Sequence, residues 1–248
     1  MQKKTYALAA LASLLALPAA AQDAAPIQPV EMFYCDFRDD AAMKDLTRVA
    51  ADFAKWAEKR GDYSAWILTP QFRTTEATWQ VGWLGSWTSG AAMGSGLDAY
   101  QAEGGELAAA FDEVITCSGH GLASSMEIHA PKGPPDNGAV WFSSCSLEGD
   151  ATIADAMKAH AAYATGMREK GADATQSWAF VPTLGGGEPD FDYYHVAAWE
   201  KYADFGRGYD SYFNGGGMAI MQEATAGVVD CDPPRIYDAR LVVKAAAP

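Results

Sequence analysis

Basic side chains are scarce in this 248-residue sequence, which has 18 Lys and Arg against 32 Asp and Glu and a formal net charge of −14. A protein that binds nucleic acid neutralises phosphates with clustered Lys and Arg, and the sequence contains no such cluster. We therefore expect no nucleic-acid partner. The acidic residues are dispersed rather than gathered in blocks, which indicates a self-repelling acidic surface and not an acidic interaction tail.

Several catalytic signatures are also absent. The sequence contains no HExxH zinc motif, no Gly-x-Ser-x-Gly elbow and no Cys-x-x-Cys pair. The glycine runs at 185–187 and 215–217 lack the lysine and the strand-to-helix context of a phosphate loop, so they predict turns. No motif therefore identifies a catalytic residue or a metal ligand.

Long apolar runs are limited to the N-terminus. Two lysines precede the apolar run Ala7–Leu17, and Pro18–Ala21 supplies the small-x-small pattern that signal peptidase accepts. The run is shorter than the roughly 20 residues that span a bilayer, so cleavage is favoured over an uncleaved anchor. The sequence thus predicts a signal peptide at 1–21, a periplasmic or secreted protein, and no transmembrane segment after cleavage.

The sequence consists of two related halves. The segment Trp79–Trp87 and the Asp-x-Tyr that follows it recur at an offset of 112 residues, where Phe191–Trp199 is followed by a second Asp-x-Tyr. A stretch rich in proline and glycine separates the halves. The predicted organisation is a signal peptide at 1–21, a flexible segment at 22–29, a first repeat at 30–130, a linker at 131–138 and a second repeat at 139–248.

Each half has the order β-α-β-β-α-β, the arrangement of ferredoxin-like domains. The last helix of each half is predicted at 106–115 and 218–228, and the last strand at 124–130 and 236–243. A sheet with helices on one face only leaves its other face uncovered. We therefore predict an α+β protein of two tandem ferredoxin-like repeats, whose facing antiparallel sheets form an intrachain α+β barrel.

This order, together with a tryptophan that ends the third strand of each half (Trp87 and Trp199), resembles the dimeric α+β-barrel superfamily. That superfamily includes small monooxygenases, haem-degrading enzymes and chlorite dismutase-like proteins. The resemblance implies the barrel over nearly the whole mature chain. No catalytic signature of any one family matches residue by residue, so no function is transferred. No cofactor is predicted, and haem and flavin stay open.

Four cysteines occupy equivalent positions in the two halves, one in the first strand and one after the second helix. An even number of cysteines in an exported chain indicates disulfides. The repeat symmetry selects the pairs Cys35–Cys117 and Cys145–Cys231 over the other two pairings, and a metal site or a redox pair is the alternative reading. The closed loops span 82 and 86 residues.

Strand alternation predicts which side chains share a face. We expect the aromatic faces of the two third strands to meet inside the barrel with polar residues of the last strands, forming a chamber for a small molecule. A packed interface without a site is the alternative, and a lone histidine is more often structural than catalytic. The predicted ligand contacts are Trp83, Trp87, Glu127, His195, Trp199 and Arg240.

Three functions follow from this reading. The favoured one is an exported protein that binds a small apolar or aromatic ligand between the repeats. The second is a protein-interaction or structural module with a solid core, and the third is a monooxygenase-like or haem-handling enzyme. The first and third need a cavity of about 300 Å³ or more. Whether the protein is an enzyme is left undecided, with a preference for a binder, and the sequence does not define the oligomeric state.

Overall fold

The computed structural model describes residues 26–75, 78–185, 187 and 189–246, so the predicted signal peptide lies outside the described residues. The strands are β1 Gln28–Phe37, β2 Tyr63–Phe72, β3 Val81–Trp87, β4 Ile115–His129, β5 Asn137–Leu147, β6 Gln176–Leu184, β7 Tyr193–Trp199, β8 Val229–Cys231 and β9 Arg235–Val243. The helices are α1 Met43–Glu58, α2 Gly90–Glu103, α3 Gly105–Asp112, α4 Ile153–Glu169, α5 Tyr202–Phe213 and α6 Gly217–Thr225.

Eight strands form a closed antiparallel barrel in the order β1-β3-β2-β9-β5-β7-β6-β4, and β4 pairs again with β1. The short β8 pairs with β5 beside the barrel. The β2–β9 and β4–β6 pairs join the first half of the chain to the second. The predicted α+β class and the intrachain barrel are therefore confirmed.

Both faces of the barrel sheet are buried. The inner face carries apolar residues such as Leu68, Phe142 and Val196, which pack against one another inside the barrel. The outer face packs against the helices, where the apolar side of α1 contributes Leu46 and Phe53. An α-helix with apolar residues at such spacing buries one stripe against a sheet. The helices therefore lie outside the barrel.

The two predicted disulfides are confirmed. Cys35 and Cys117 are directly paired residues of β1 and β4, and their sulfurs are 2.04 Å apart. Cys145 and Cys231 are paired in the same way on β5 and β8, with an S–S distance of 2.06 Å. Each bridge thus joins the first strand of a half to the strand segment that follows its last helix.

Several predicted boundaries differ from the structure. Two helices follow each third strand, and the second of each pair is shorter than predicted, at Gly105–Asp112 and Gly217–Thr225. The strand β4 begins at Ile115 instead of 124, because the residues around Cys117 pair with β1. The strand β1 begins at Gln28. Among the described residues, no helix combines the length and the apolarity needed to cross a bilayer.

Candidate ligand-binding site

Four of the predicted site residues pack in the layer between the sheet and the helices, and of these only Trp83 also borders the cavity described below. Trp83 packs in the outer layer against Phe53 of α1, with ring centroids 5.2 Å apart, and Trp87 belongs to the same cluster. His195 stacks on His160 of α4. The fourth, Trp199, contacts Phe205 of α5 at 5.2 Å. The expectation that these faces meet in a chamber is therefore wrong.

The two remaining predicted residues lie elsewhere again. Glu127 is partly buried, and its Oε1 accepts a hydrogen bond from the backbone N–H of Ala130 at 3.2 Å. Arg240 has 70% of its side chain exposed and donates to Asp238 at 3.1 Å. The structure therefore does not bring the six residues together into one site.

The wrong assignment has a physical cause. Alternation separates the two faces of a strand, but it cannot tell which face meets helices when both are buried. In β3 the large residues Trp83 and Trp87 point outward, while Gly82 and Ser86 lie on the inner face. Other strands place bulky rings inside the barrel, such as Trp66 and Phe142, so residue size does not identify the inner face either.

A cavity of about 490 Å³ opens at one end of the barrel. This volume lies within the range of small-molecule sites, which is roughly 300–1,000 Å³. Both repeats contribute to its wall. The residues that line it are Met32, Phe33, Tyr34, Leu68, Trp79, Gly82, Trp83, Ser118, Gly119, Phe142, Ser144, Phe191, Tyr194, Arg235 and Tyr237.

Three tyrosines supply hydroxyl groups to this cavity. Burial raises the pKa of Tyr34 far above its ordinary value, and the neighbouring Tyr194 raises it further. Burial also raises the pKa of Tyr194 and of Tyr237. All three phenols are therefore protonated at neutral pH and carry an O–H donor. The Tyr34 hydroxyl lies 4.0 Å from Met32 Sδ, a weak acceptor that an oxygen of a ligand can replace.

Arg235 is the positively charged group of the cavity, and its neighbours hold it in place. Its Nη1 donates to Asp232 Oδ2 at 2.9 Å, and its Nη2 donates to Ser144 Oγ at 2.8 Å. Asp232 Oδ1 also accepts from the backbone N–H of Ser144 at 2.7 Å. Because Asp232 balances the charge of Arg235, the pair offers oriented N–H donors without a net charge.

The aromatic wall is rigidly packed. Trp79 stacks on Tyr237 across the two repeats, with ring centroids 5.1 Å apart and an interplanar angle of 13°. Arg73 donates a hydrogen bond to the backbone oxygen of Trp79. A methyl group at Gly82 would lie 3.2 Å from the Trp79 ring. The glycine therefore lets that ring lie close to the strand.

The opposite end of the barrel is much more filled. The cavity there measures about 80 Å³, and Pro134 and Pro135 of the segment between β4 and β5 line it. The indole N–H of Trp66 donates to the backbone oxygen of Pro135 at 3.0 Å. Of these two cavities among the described residues, the one that contains Tyr34 and Arg235 has the volume of a small-molecule site.

The sequence analysis missed most of the residues of this cavity. One signal was available: Tyr194 stands at the position equivalent to Gly82, and Ser144 at the position equivalent to Tyr34. Such exchanges of large and small residues on the inner face make the barrel interior asymmetric. His120 also has a partner that the sequence does not reveal, since its Nε2 lies 2.8 Å from Glu31 Oε2.

Comparison with known proteins supports the fold alone. No protein-family profile matches the chain, and no curated protein matches its sequence. A candidate monooxygenase from Lactobacillus acidophilus NCFM superposes with a TM-score of 0.57 at 9% identity, covering 90% of this chain and 99% of that one. A candidate chlorite dismutase, TA0507, gives 0.52 at 11% identity, with coverages of 87% and 95%.

A mutant chlorite dismutase from Candidatus Nitrospira defluvii gives a TM-score of 0.51 at 9% identity, with coverages of 87% of this chain and 92% of that one. The resemblance to the dimeric α+β-barrel superfamily is therefore confirmed as a likeness of fold. At such low sequence identity, the similarity of fold does not assign any catalytic residue to this protein.

Haem is a cofactor that this superfamily suggests, and the cavity does not fit it. Among the described residues that line the cavity there is no histidine to serve as axial ligand. His160 lies near Cys145 and Cys231, but their sulfurs are bonded to each other and offer no thiolate. We derive no chemical step through haem.

Proposed function

We propose that this protein is an exported binder of a small apolar or aromatic molecule, held in the 490 Å³ cavity at the open end of the barrel. The observation that carries the proposal is the composition of the wall, in which aromatic side chains of both repeats surround a few oriented hydrogen-bond donors. Ligand sites typically combine a mostly apolar surface with a small number of such polar groups.

The cavity also bears on the two alternative functions, a module with a solid core and an enzyme. A module with a solid core would leave no space of this size between the repeats. A monooxygenase-like or haem-handling enzyme remains the second candidate, because chains with this fold include a candidate monooxygenase. The cavity lacks an identified base or axial ligand among the described residues, which favours binding over catalysis there.

The chemistry of the wall defines the class of ligand. Trp79, Phe142 and Phe191 offer flat apolar surfaces on which an aromatic ring can stack. The hydroxyl of Tyr34 and the guanidinium of Arg235 are donors, so the ligand should carry an acceptor oxygen such as a hydroxyl or a carbonyl. The neutral Arg235–Asp232 pair favours an uncharged ligand over a strong acid.

Export is supported by two features of the chain. The first 21 residues have the pattern of a signal peptide. The two disulfides, Cys35–Cys117 and Cys145–Cys231, form and persist mainly in oxidising compartments. A periplasmic or secreted location fits both features.

The test is calorimetric titration with a panel of bicyclic aromatics: 1-naphthol, 1-naphthoate and indole. We expect 1-naphthol to bind more tightly than the other two. Tyr34→Phe removes one donor and should weaken its affinity about fivefold, which corresponds to a hydrogen bond of about 1 kcal/mol. Tyr209→Phe, an exposed tyrosine of α5, is the matched control and should bind normally.

Two results would contradict the proposed site. If none of the three probes binds, or if Tyr34→Phe and Tyr209→Phe bind alike, the proposed site is wrong. The visible spectrum of protein purified from its native host distinguishes the binder from the monooxygenase-like or haem-handling enzyme, because a bound haem or flavin absorbs in the visible range. A coloured protein would favour that candidate over a binder of colourless aromatics.

A further inference from the structure

A buried carboxylate, Glu31, lies in the outer layer of the first repeat and does not itself line the barrel cavity. Glu31 stands in the middle of β1, opposite Gly85 of β3 and Leu122 of β4, and only 7% of the residue is exposed. A carboxylate placed among apolar neighbours is unfavourable unless hydrogen bonds compensate for the lost water. Its partners therefore define what this position can do.

Both carboxylate oxygens of Glu31 have a partner. Tyr63 donates its hydroxyl to Oε1 at 2.5 Å, and the same hydroxyl accepts the indole N–H of Trp83 at 2.8 Å. His120 Nε2 lies 2.8 Å from Oε2. The result is a continuous chain of hydrogen bonds from a buried tryptophan to a histidine that is half exposed.

The fold itself does not require this chain of hydrogen bonds. The second repeat builds the same strands with Trp141 opposite Ala197, where the first repeat has Glu31 opposite Gly85. A methyl group at Gly85 would lie 2.0 Å from the Tyr63 hydroxyl and 2.8 Å from Glu31 Oε1. The missing side chain at Gly85 therefore makes room for a polar network that only the first repeat contains.

The Glu31 carboxylate determines which ring nitrogen of His120 carries the proton. A carboxylate accepts hydrogen bonds, so Nε2 must carry the proton that it donates to Glu31. In the neutral ring the lone pair then lies on Nδ1, which has no hydrogen-bond partner within the described ranges. The ring stacks on Phe33, with centroids 3.6 Å apart and an angle of 12°. The exposed nitrogen is thus both free and oriented.

We propose that His120 is a general base on the outer surface of the first repeat, with Glu31 and Tyr63 as its positioning residues. Its substrate is a small apolar carbon acid, because Phe33 and the 66% exposed Leu184 of the neighbouring strand supply apolar surface beside it. The substrate C–H proton moves to Nδ1, its electron pair stays on the substrate, and water later removes the proton from the imidazolium. The site goes beyond the proposed ligand cavity: it shares Phe33 with the cavity wall, but His120, Glu31 and Tyr63 do not line the cavity.

The test uses the probe 5-nitrobenzisoxazole. A base takes the proton from its ring carbon, the C–H electrons form the nitrile, and the N–O bond breaks to release a coloured phenolate. The reaction needs no co-reactant. Positioned bases typically contribute 10²–10⁴-fold, so we expect the protein to react at least about tenfold faster than free imidazole at the same concentration.

Three variants assign the roles. His120→Gln should lose this acceleration, while His129→Gln, on the same strand but outside the network, should keep it. Glu31→Gln should lower kcat about tenfold with little change in KM, because the imidazole loses the acceptor that orients it while the apolar surface for the substrate stays intact. Circular dichroism would confirm that each variant is folded.

Several results would overturn the proposal. A rate no higher than that of free imidazole would show that His120 does not act as a positioned base. An equal loss in His120→Gln and His129→Gln shows that the reaction has no specific site. A normal kcat in Glu31→Gln would show that Glu31 does not position the base and that the network is purely structural.

Discussion

His160 and His195 stack face to face, with ring centroids 4.1 Å apart and an interplanar angle of 13°. Both are buried between α4 and β7, and His160 Nε2 lies 2.7 Å from the Tyr193 hydroxyl. Burial lowers the pKa of His160 to about 4. Burial, and then the neighbouring His160, lowers the pKa of His195 well below its usual range. Two neutral imidazoles thus stabilise this layer by packing.

This pair predicts that the protein loses stability in mild acid. The unfolded chain binds a proton at each histidine near pH 6.5, whereas the folded state disfavours that proton. The stabilisation is therefore fully present above about pH 6.5 and declines as the pH falls toward 4. Between pH 7 and pH 5 we expect His160 to account for about 2 kcal/mol of lost unfolding free energy.

Urea unfolding at several pH values measures this effect. In His160→Gln the dependence of stability on pH between 7 and 5 should be weaker than in the unmodified protein, whatever the absolute stability of the variant. Equal slopes for the two proteins would show that the histidine titrates normally in the folded state.

The architecture was predictable from the sequence, whereas the site was not. The internal repeat and the β-α-β-β-α-β order of each half correctly predict a tandem α+β barrel. The position of the cavity depends on which of two buried faces points inward, and alternation along β3 does not contain that information. The Glu31–His120 contact joins residues 89 positions apart, and it follows only from the pairing of β1 with β4.

Reduction of the disulfides should destabilise the protein strongly. Cys35–Cys117 and Cys145–Cys231 close loops of similar length, 82 and 86 residues. Loss of either bridge should therefore cost about 2–5 kcal/mol, and the two costs should be alike. Thermal melting of the double-alanine variants of each pair provides the comparison. A pair whose removal leaves the melting temperature unchanged would contradict this expectation.

Substitution of Gly85 tests the packing of the buried carboxylate. The new methyl group in Gly85→Ala would overlap the Tyr63 hydroxyl, so we expect a loss of at least about 1–3 kcal/mol. Gly105→Ala, where a methyl group meets open space, is the control and should be close to neutral. Combining Gly85→Ala with Tyr63→Phe should recover part of the loss. Independent, additive effects of the two changes would argue against direct contact.

The halves of the chain should not be stable apart. The β2–β9 and β4–β6 pairs cross between them, so separation exposes four strand edges and the apolar inner face of each sheet. We expect fragments 22–131 and 138–248 to associate or aggregate when expressed singly. Sedimentation that shows two stable, monomeric fragments would contradict the closed barrel.

The central claim is that a small aromatic molecule binds inside the open end of the barrel, and closing that end tests it most directly. Ser118 is exposed and lines the cavity, whereas Thr116, two residues earlier on β4, is exposed and does not line it. The measurement is the affinity of 1-naphthol for Ser118→Trp and Thr116→Trp by calorimetric titration. The account predicts that Ser118→Trp loses binding at least tenfold while Thr116→Trp binds like the unmodified protein, and equal affinity in both variants would contradict it.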